Sequence, residues 1–178
     1  TRQVLPDGAH ISRSPALQLA GLRMLIDLRG ALRAGKLDVT ETLVGAIERM
    51  VTALRLLRHG DGGLALFNSS DEGDAAAVEA AIALAEARGR TPPSLPDAGF
   101  HRLAAGRALV IVDVGEPVAV DGVAYAGTLS FELSIGRERL ICNVGAGAAD
   151  KPEWTTAARA TAAHTTLVVD DTNSSEIR

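Results

Sequence analysis

Four histidines are the chain's first candidates for proton transfer, and two of them stand in informative places. His10 lies in a polar loop, residues 7–14, that leads into the first predicted helix. Because the N-terminus of a helix attracts anions, such a loop can face a pocket. His164 precedes the run Thr165–Val169, so it lies at the start of a predicted apolar strand. A histidine in that position is more often structural than catalytic.

The other two histidines are expected to have structural roles. His59 follows the end of a predicted helix, where a histidine interacts favourably with the last carbonyl groups. His101 lies in a predicted strand between Phe100 and Arg102, and we expect its side chain on the solvated face.

The common motifs of enzyme sites are missing from the sequence. It contains no His-x-x-x-His metalloprotease spacing and no Cys-x-x-Cys pair, so no metal motif is visible. It contains no Gly-x-Ser-x-Gly nucleophile turn. The glycines of residues 60–63 follow a helix and precede an apolar run, which is the wrong context for a dinucleotide-binding loop. The single cysteine, Cys142, cannot form an intrachain disulfide. Motifs alone therefore assign no activity.

Composition excludes several classes of protein. The chain has 178 residues, of which 47% are hydrophobic, so it can form one domain or two small ones with a real core. Its net charge of −4 argues against a general nucleic-acid binder. It has no stretch of 18 apolar residues, which predicts that no helix inserts into a membrane. Because the chain begins at Thr1 and shows no signal-peptide region, we expect a piece of a longer chain whose remainder is missing.

Helices are predicted for the first half of the chain. Apolar residues recur at helical spacing over residues 15–34 and 39–58, and an alanine-rich segment over residues 72–88 predicts a third helix. Ser14 and Pro15 are typical of a helix start. The short connection between the first two helices predicts antiparallel packing. The predicted apolar face of the first helix comprises Leu17, Leu22, Leu25, Leu28 and Leu32.

Strands are predicted for the second half. The prolines of residues 91–98, the proline-rich segment, are incompatible with a helix or a central strand, so this segment is predicted to be a linker. After it the hydrophobic period changes to two. Residues 152–160 are ambiguous between a loop and a helical turn. Helices followed by antiparallel strands predict an α+β protein, with a helical domain at 1–90, a linker at 91–98 and an antiparallel β-sandwich, or part of one, at 99–178. Strands are predicted at residues 99–103, 108–114, 118–125, 129–133, 139–143 and 165–169.

Parts of the sequence resemble the heparinase II/III-like polysaccharide lyases. The resemblance covers most of the chain, and it implies the last helices of an α/α toroid followed by the start of a β-sandwich. An upstream Asp7-Gly8 with Ser14-Pro15 is similar to the loop that precedes a toroid helix in that family. The segments that carry the resemblance downstream are Thr128–Leu133, Gly136-Arg137, Gly145 and Arg159–Asp170.

The resemblance implies a lyase that cleaves acidic, uronic-acid polysaccharides by β-elimination. A base removes the proton at C5 of the uronate, and an acid protonates the leaving glycosidic oxygen, roles that suit Tyr and His. Hydrogen-bond donors must neutralise the substrate carboxylate. The resemblance also implies a periplasmic or cell-envelope location, with an acidic polysaccharide as the partner and no nucleic acid.

Several family residues are replaced in this sequence. Tyr125 stands where the second histidine of a His-x-His pair precedes the Phe-Glu-Leu strand, and Asn143 stands where the family has an aspartate. The family's Tyr-His pair after Ser-Pro is Leu17-Gln18 here. Family members carry a structural metal, often zinc, that is held by His and Asp. Because an asparagine is a poorer zinc ligand and this pattern is broken, we predict no metal or other cofactor.

Two hypotheses of function remain open from the sequence. In the first, the full-length protein is a lyase with a rearranged site, and the isolated chain is inactive because much of the toroid is missing. In the second, the fold persists as a non-catalytic glycan-binding or structural module. The missing histidine pair favours the second hypothesis, and the family as a whole favours the first. The lyase hypothesis assigns proton transfer to His10, Tyr125 and His164, and carboxylate binding to Arg13, Asn143 and Arg159.

A third class, a partner-binding helical hairpin, rests on the first two predicted helices. Their apolar stripes are more typical of the core face of a helix.

Overall fold

Helices occupy the first half of the chain and strands much of the second, as the change of hydrophobic period predicts. The computed structural model describes residues 3–117, 125–147 and 151–176. The helices are α1 (Pro15–Ala34), α2 (Glu41–Leu56), α3 (Ala75–Leu84) and α4 (Pro152–Arg159), the last followed by a 3₁₀ turn at Thr161–Ala163. The strands are β1 (Ser94–Leu95), β2 (Phe100–Ala105), β3 (Ala108–Asp113), β4 (Phe131–Ile135) and β5 (Glu138–Ile141).

The strands form one antiparallel sheet in sequence order. The expected α+β class is therefore confirmed. Tight hairpins join β2 to β3 and β4 to β5, and each turn contains a glycine in the left-handed region, Gly106 with φ +59° and Gly136 with φ +63°. None of the described helices is both long and apolar enough to cross a membrane.

The helices begin at residues that suit a helix start. Pro15 occupies the first turn of α1, after an extended Ser14. The Thr40 side chain accepts a hydrogen bond from the backbone N–H of Leu43 at the start of α2. These local features explain why the helix positions could be predicted from the sequence.

The buried face of α1 differs from the predicted face. Leu22 is buried as expected, but Leu17 is 39% exposed and Leu28 is 49% exposed. Two polar residues share the buried face instead, and both have backbone partners: Gln18 donates to the carbonyl of Met50, and Arg29 donates to the carbonyl of Ala85. A hydrophobic count misses such residues, so the prediction for Leu17 and Leu28 was wrong. The buried residues of α1 are Pro15, Gln18, Leu19, Leu22, Ile26 and Arg29.

Two groups of buried side chains form the core. One lies among the helices and includes Leu22, Ile47, Met50, Leu54 and Val78. The other joins α2 to the sheet and includes Leu56, Leu57, Phe67, Phe100 and Ile111. The proline-rich segment contributes Leu95 and Ala98 to the second group, and Leu95 pairs with β2. The division of the chain into two domains and a linker stays a prediction.

The sheet has one face toward the helices and one face away from them. Successive residues of a strand point to opposite faces, and cross-strand partners share a face. The face opposite the helices, called the outer face below, carries a row of apolar partners across β2, β3, β4 and β5. In this row Leu103 pairs with Val110, Val110 with Leu133, and Leu133 with Ile141.

The predicted strand at residues 165–169 is not a strand in the structure. Its one backbone bridge joins Val169 to Thr172 among the described residues. The Thr165 side chain takes the place of a ladder, because its hydroxyl accepts from Phe131 N at 2.9 Å and donates to Phe131 O. The Thr166 hydroxyl likewise donates to Thr128 O.

Two further segments of the strand half were predicted less definitely or are described only in part. The ambiguous segment at residues 152–160 is helix α4. The predicted strand at 118–125 lies outside the described residues, apart from Tyr125.

Candidate functional site

A buried acid–histidine pair joins α2 to the sheet. Glu132 of β4 is fully buried, and its Oε2 lies 2.8 Å from His59 Nε2. Its Oε1 accepts from Leu66 N at 2.8 Å and from the backbone and side-chain amides of Asn143, both at 3.2 Å. His59 Nδ1 lies 2.9 Å from the hydroxyl of Ser134. These groups are called the Glu132 network below.

The Glu132 network defines the role of His59. A carboxylate only accepts hydrogen bonds, so the network assigns a hydrogen to His59 Nε2. His59 therefore contacts the sheet rather than the last carbonyls of α2, where it was expected. Its burial together with Glu132 marks it as a structural link.

Three of the six predicted site residues meet in a second cluster, which is called the His164 cluster. His164 Nδ1 lies 3.2 Å from Asn143 Oδ1, an acceptor, which assigns a hydrogen to Nδ1. The Tyr125 ring meets the His164 ring edge-on, with centroids 5.7 Å apart, and its hydroxyl donates to Ala146 O. A Cβ at Gly127 would lie 3.1 Å from the His164 ring, so glycine lets the ring approach the backbone.

The surroundings of His164 favour the neutral imidazole. Burial lowers the pKa of His164, while the nearby Ala158 carbonyl acts in the opposite direction. His164 Nε2 is buried and makes no hydrogen bond of good geometry among the described residues. The Ala158 carbonyl near the ring can only accept a hydrogen bond, so it favours a ring N–H.

The metal that the resemblance implies does not fit these residues. A structural zinc ion needs about four ligands, usually thiolate, imidazole or carboxylate. Only His164 of the cluster is of that type, because Asn143 is a neutral amide and the Tyr125 hydroxyl is bonded to Ala146 O. The described residues contain no group of three or more His, Cys, Asp or Glu placed to hold a metal. The lack of a metal cofactor stays a prediction.

His10 lies in different surroundings from His164. Its Nδ1 lies 2.7 Å from Ser12 Oγ and accepts from Ser12 N at 3.2 Å, so its hydrogen is assigned to Nε2. Burial lowers the pKa of His10. The ring faces a mostly apolar cavity, and no member of the His164 cluster is among its described lining residues. The other residues of this cavity are Gln3, Val4, Gly21, Met24, Leu25 and Met50.

Gln18 stands where the resemblance implies a histidine after Ser-Pro, and its side chain is buried. Its Oε1 accepts from His10 N at 2.5 Å. Its Nε2 donates to Gly8 O and to Met50 O, both at 2.9 Å. The Gln18 amide cannot exchange a proton near neutral pH as an imidazole does. The preceding residue, Leu17, has no group that could do so either. This position therefore holds the loop against α2 and offers no base.

Arg13, a predicted carboxylate-binding residue, is committed to partners within the chain. It forms a buried ion pair with Asp113. Its Nε donates to Ala98 O and its Nη1 to Glu116 O, both at 2.6 Å. The guanidinium also lies 5.1 Å from the centroid of the Phe100 ring. Arg13 therefore ties the N-terminal loop to the sheet.

Arg159 ends α4 and is half-buried. Its carbonyl accepts from Ala126 N at 2.9 Å, next to Tyr125 of the His164 cluster. The structure thus groups Tyr125, Asn143 and His164, and it places His10 and Arg13 in other contacts.

The buried acid and its histidine escaped the sequence analysis. In the segment Phe131-Glu132-Leu133, a charge alternates with apolar residues, a pattern normally read as solvent exposure. No feature of the sequence pairs Glu132 with His59, because only the fold brings the two residues together.

The architecture defines a class of protein. Helices pack on one face of an antiparallel sheet, and a buried Glu132–His59 pair joins the helices to the sheet. The His164 cluster is formed by residues before β4 and after β5. The family described as "Heparinase II/III-like, C-terminal" matches residues 87–178. The chain belongs to this family.

The chain is also similar to solved structures and to a curated relative. The chain is similar to heparan sulfate lyase HepC from Pedobacter heparinus, with a TM-score of 0.77, 21% identity and 97% of this chain covered. A crystal structure of heparinase III gives a TM-score of 0.80 at 13% identity, again over 97% of this chain. FtsZ-localized protein C from Caulobacter vibrioides is 34% identical over 144 residues, 80% of this chain.

The chain spans only part of these proteins. It covers 31% of HepC, 33% of heparinase III and 25% of FtsZ-localized protein C. The structural matches support the shared fold, and the family assignment supports a relationship to polysaccharide lyases.

Proposed function

We propose that the chain is part of a non-catalytic heparinase II/III-like protein that binds an acidic polysaccharide without cleaving it. The observation that carries this proposal is the set of internal bonds made by Gln18. It replaces the family histidine, and all three of its hydrogen bonds go to the chain's own backbone. The side chain is therefore a buried structural amide.

The other residues of the predicted site support the same conclusion. β-Elimination needs a base, an acid and a donor that neutralises the uronate carboxylate. Arg13 is held by Asp113, and Asn143 is held by Glu132 and His164. The Tyr125 hydroxyl donates to a backbone carbonyl. Releasing any of these groups toward a substrate would break a hydrogen bond in the interior, which is unfavourable.

The alternative proposal is the lyase activity that the family relationship suggests. One observation favours it: the buried Nε2 of His164 makes no hydrogen bond among the described residues, so this ring nitrogen is not committed to an internal partner. The two proposals differ in whether a double bond forms in the sugar.

The test is absorbance near 232 nm, where the unsaturated uronate product of β-elimination absorbs. The full-length protein is incubated with a panel of uronic-acid polysaccharides, and retention on the same immobilised polysaccharides reports binding. We expect retention without a rise in absorbance. A rise that His164→Ala abolishes would establish a lyase, and absence of both signals would contradict the proposed function.

A second candidate concerns where the whole protein acts. The 34% identity to FtsZ-localized protein C favours localisation with FtsZ, and the family relationship favours the periplasm or cell envelope. A fluorescent fusion of the full-length protein, imaged together with labelled FtsZ, tests the first. A signal that does not overlap with FtsZ would contradict it.

A further inference from the structure

A cavity of about 410 Å³ lies beside the C-terminal end of α2, away from the His164 cluster. Side chains from α2, α3, β2 and the proline-rich segment meet around it. Its described lining residues are Arg55, Arg58, His59, Gly60, Glu79, Ile82, Thr91 and Arg102. This cavity is called the arginine cleft below.

The arginine cleft is positively charged within an acidic chain. Three guanidinium groups line it, from Arg55, Arg58 and Arg102, against one carboxylate, from Glu79. Arg58 Nη2 lies 2.6 Å from Glu79 Oε2, so this exposed carboxylate offsets part of the charge of Arg58. The charges of Arg55 and Arg102 remain, although the whole chain has a net charge of −4.

Backbone carbonyls hold these guanidinium groups in place. Arg102 Nη1 donates to Leu56 O at 2.8 Å and to Arg58 O at 2.7 Å. Arg55 Nη2 donates to Ala87 O at 2.8 Å. A carbonyl carries only a partial charge, so these bonds orient the guanidinium groups without cancelling their charge. Each guanidinium has five N–H donors, more than these bonds use.

The cationic groups also disfavour one another. Burial lowers the pKa of Arg102, and the positive charge of Arg58 lowers it further. Two like charges in a partly buried cleft gain from an anion placed between them.

We propose that the arginine cleft binds an oxyanion, the sulfate or phosphate group of a free ion or of an anionic sugar. The guanidinium groups of Arg55 and Arg102 line the same cavity, and each has N–H donors beyond those bound to carbonyls that can bond to an oxygen of such a group. The sugar form of the proposal rests on the proposed function. The free-ion form is independent of it.

The test is isothermal titration calorimetry, which measures the dissociation constant of each probe for the full-length protein. The four probes are inorganic sulfate, inorganic phosphate, a sulfated uronate oligosaccharide and its desulfated counterpart. Arg55→Gln should weaken oxyanion binding about tenfold, because it removes a charge-assisted hydrogen bond. Glu79→Gln should strengthen binding, because it removes the competing carboxylate and releases Arg58. Arg23→Gln, at an exposed position of α1, is the matched control and should leave binding unchanged.

The outcomes separate the sources of the oxyanion. Binding of the inorganic ions alone identifies a free-ion site. Tighter binding of the sulfated oligosaccharide, with the same dependence on Arg55 and Glu79, identifies a sugar site. The proposal is overturned if no probe binds at millimolar concentration, or if Arg23→Gln and Arg55→Gln have equal effects. If polysaccharide retention is unchanged by Arg55→Gln and Glu79→Gln, the arginine cleft is not its binding site. That result would overturn this inference and leave the proposed function standing.

Discussion

Tyr125, Asn143 and His164 contact one another through their side chains, at positions where the resemblance implies metal ligands. Asn143 Oδ1 lies 3.2 Å from His164 Nδ1. Two zinc ligands at about 2.0 Å from a tetrahedral ion are themselves about 3.3 Å apart, so the spacing of these two side chains is close to that of a ligand pair. The position is thus compatible with a metal, whereas the residue types are not.

Restoring ligand types should therefore create a metal site. The double variant Tyr125→His/Asn143→Asp supplies two more zinc ligands beside His164, and a water can complete the four-coordinate set. Without metal this variant is destabilised, because it places a carboxylate where the Asn143 amide donates to Glu132. We expect it to bind one Zn²⁺ per chain by elemental analysis, and its melting temperature should rise on addition of Zn²⁺ because the metal binds the folded state.

The natural protein and each single variant are the controls. We expect no stoichiometric zinc in the natural protein and an unchanged melting temperature with a chelator. Stoichiometric zinc in the purified natural protein would show that the hydrogen-bonded cluster does not replace the metal.

His10 should make the folding stability depend on pH. Burial lowers its pKa in the folded protein, so the unfolded chain binds a proton more readily. The contribution of His10 is then fully present above its unfolded pKa of about 6.5 and is lost as pH falls toward the lower folded pKa. The Ser12 N–H that donates to Nδ1 adds to this effect, because protonation of Nδ1 would break that bond.

Urea unfolding between pH 5.5 and 7.5 measures this dependence. The free energy of unfolding should decrease toward low pH, by at most about 1.4 kcal/mol per pH unit for one histidine. His10→Gln should flatten the curve, while His101→Gln, on an exposed strand position, should leave its slope unchanged. Parallel curves for all three proteins would contradict the role given to His10.

The site residues differ in how far the sequence could predict them. The resemblance located Tyr125, Asn143 and His164, which the fold then brings together. It assigned Arg13 to a substrate, because a sequence does not show that Asp113, a hundred residues away, faces its guanidinium. Long-range polar partners depend on the fold, and residue types alone do not fix them.

At the scale of elements, Glu132 connects three parts of the chain. Its carboxylate contacts His59 after α2, Leu66 in the following segment and Asn143 after β5. All these contacts are buried, so each donor depends on a Glu132 oxygen for its hydrogen bond. Removing one partner of such a buried pair is strongly destabilising.

Glu132→Gln tests this connection. In one orientation the amide oxygen keeps the N–H groups of Leu66 and Asn143, and the NH₂ group faces His59 Nε2. His59 must then move its hydrogen to Nδ1, where the Ser134 hydroxyl can accept it. We expect the free energy of unfolding to fall by about 1.5 kcal/mol in chemical denaturation, the order of one buried hydrogen bond.

Two further variants define what this loss means. Glu138→Gln, an exposed change on neighbouring β5, should alter stability by less than about 0.5 kcal/mol. His59→Gln/Glu132→Gln should cost less than the sum of its single changes, because two amides can pair. Additive losses would show that His59 and Glu132 are not coupled.

The elements themselves were predictable where local pattern and tertiary contacts agree. Helix α1 begins with a proline in its first turn, α2 has a side-chain cap from Thr40, and both form close to the predicted bounds. The segment 165–169 has strand-forming residues, yet the hydroxyls of Thr165 and Thr166 bond to the backbone of neighbouring residues in place of a ladder. Side-chain hydroxyls that replace backbone hydrogen bonds leave no trace in the hydrophobic period, so the sequence pattern could not reveal them.

At the scale of the whole molecule, the two faces of the sheet differ. The inner face packs on α2, whereas Leu103 on the outer face is 61% exposed and its row continues through Val110, Leu133 and Ile141. An apolar sheet face normally packs against another layer. The chain spans about a third of the solved structures that it matches, and such a layer would come from chain outside these 178 residues.

Val110→Lys distinguishes a covered outer face from a solvated one, because β3 is the central strand. If a second sheet covers this face, a buried unpaired ammonium should destabilise the full-length protein by about 3 kcal/mol or more. If the face is solvated, the flexible lysine reaches water and the cost should stay near 1 kcal/mol.

Chemical denaturation of the full-length protein measures the cost of Val110→Lys, with Ala105→Lys at the exposed hairpin end of the same face as the matched control. We expect a large loss for Val110→Lys and a small one for Ala105→Lys. Equal small losses would mean that the sheet works with a solvated outer face, and that this chain's contacts with α2 and the Glu132 network are sufficient to hold it.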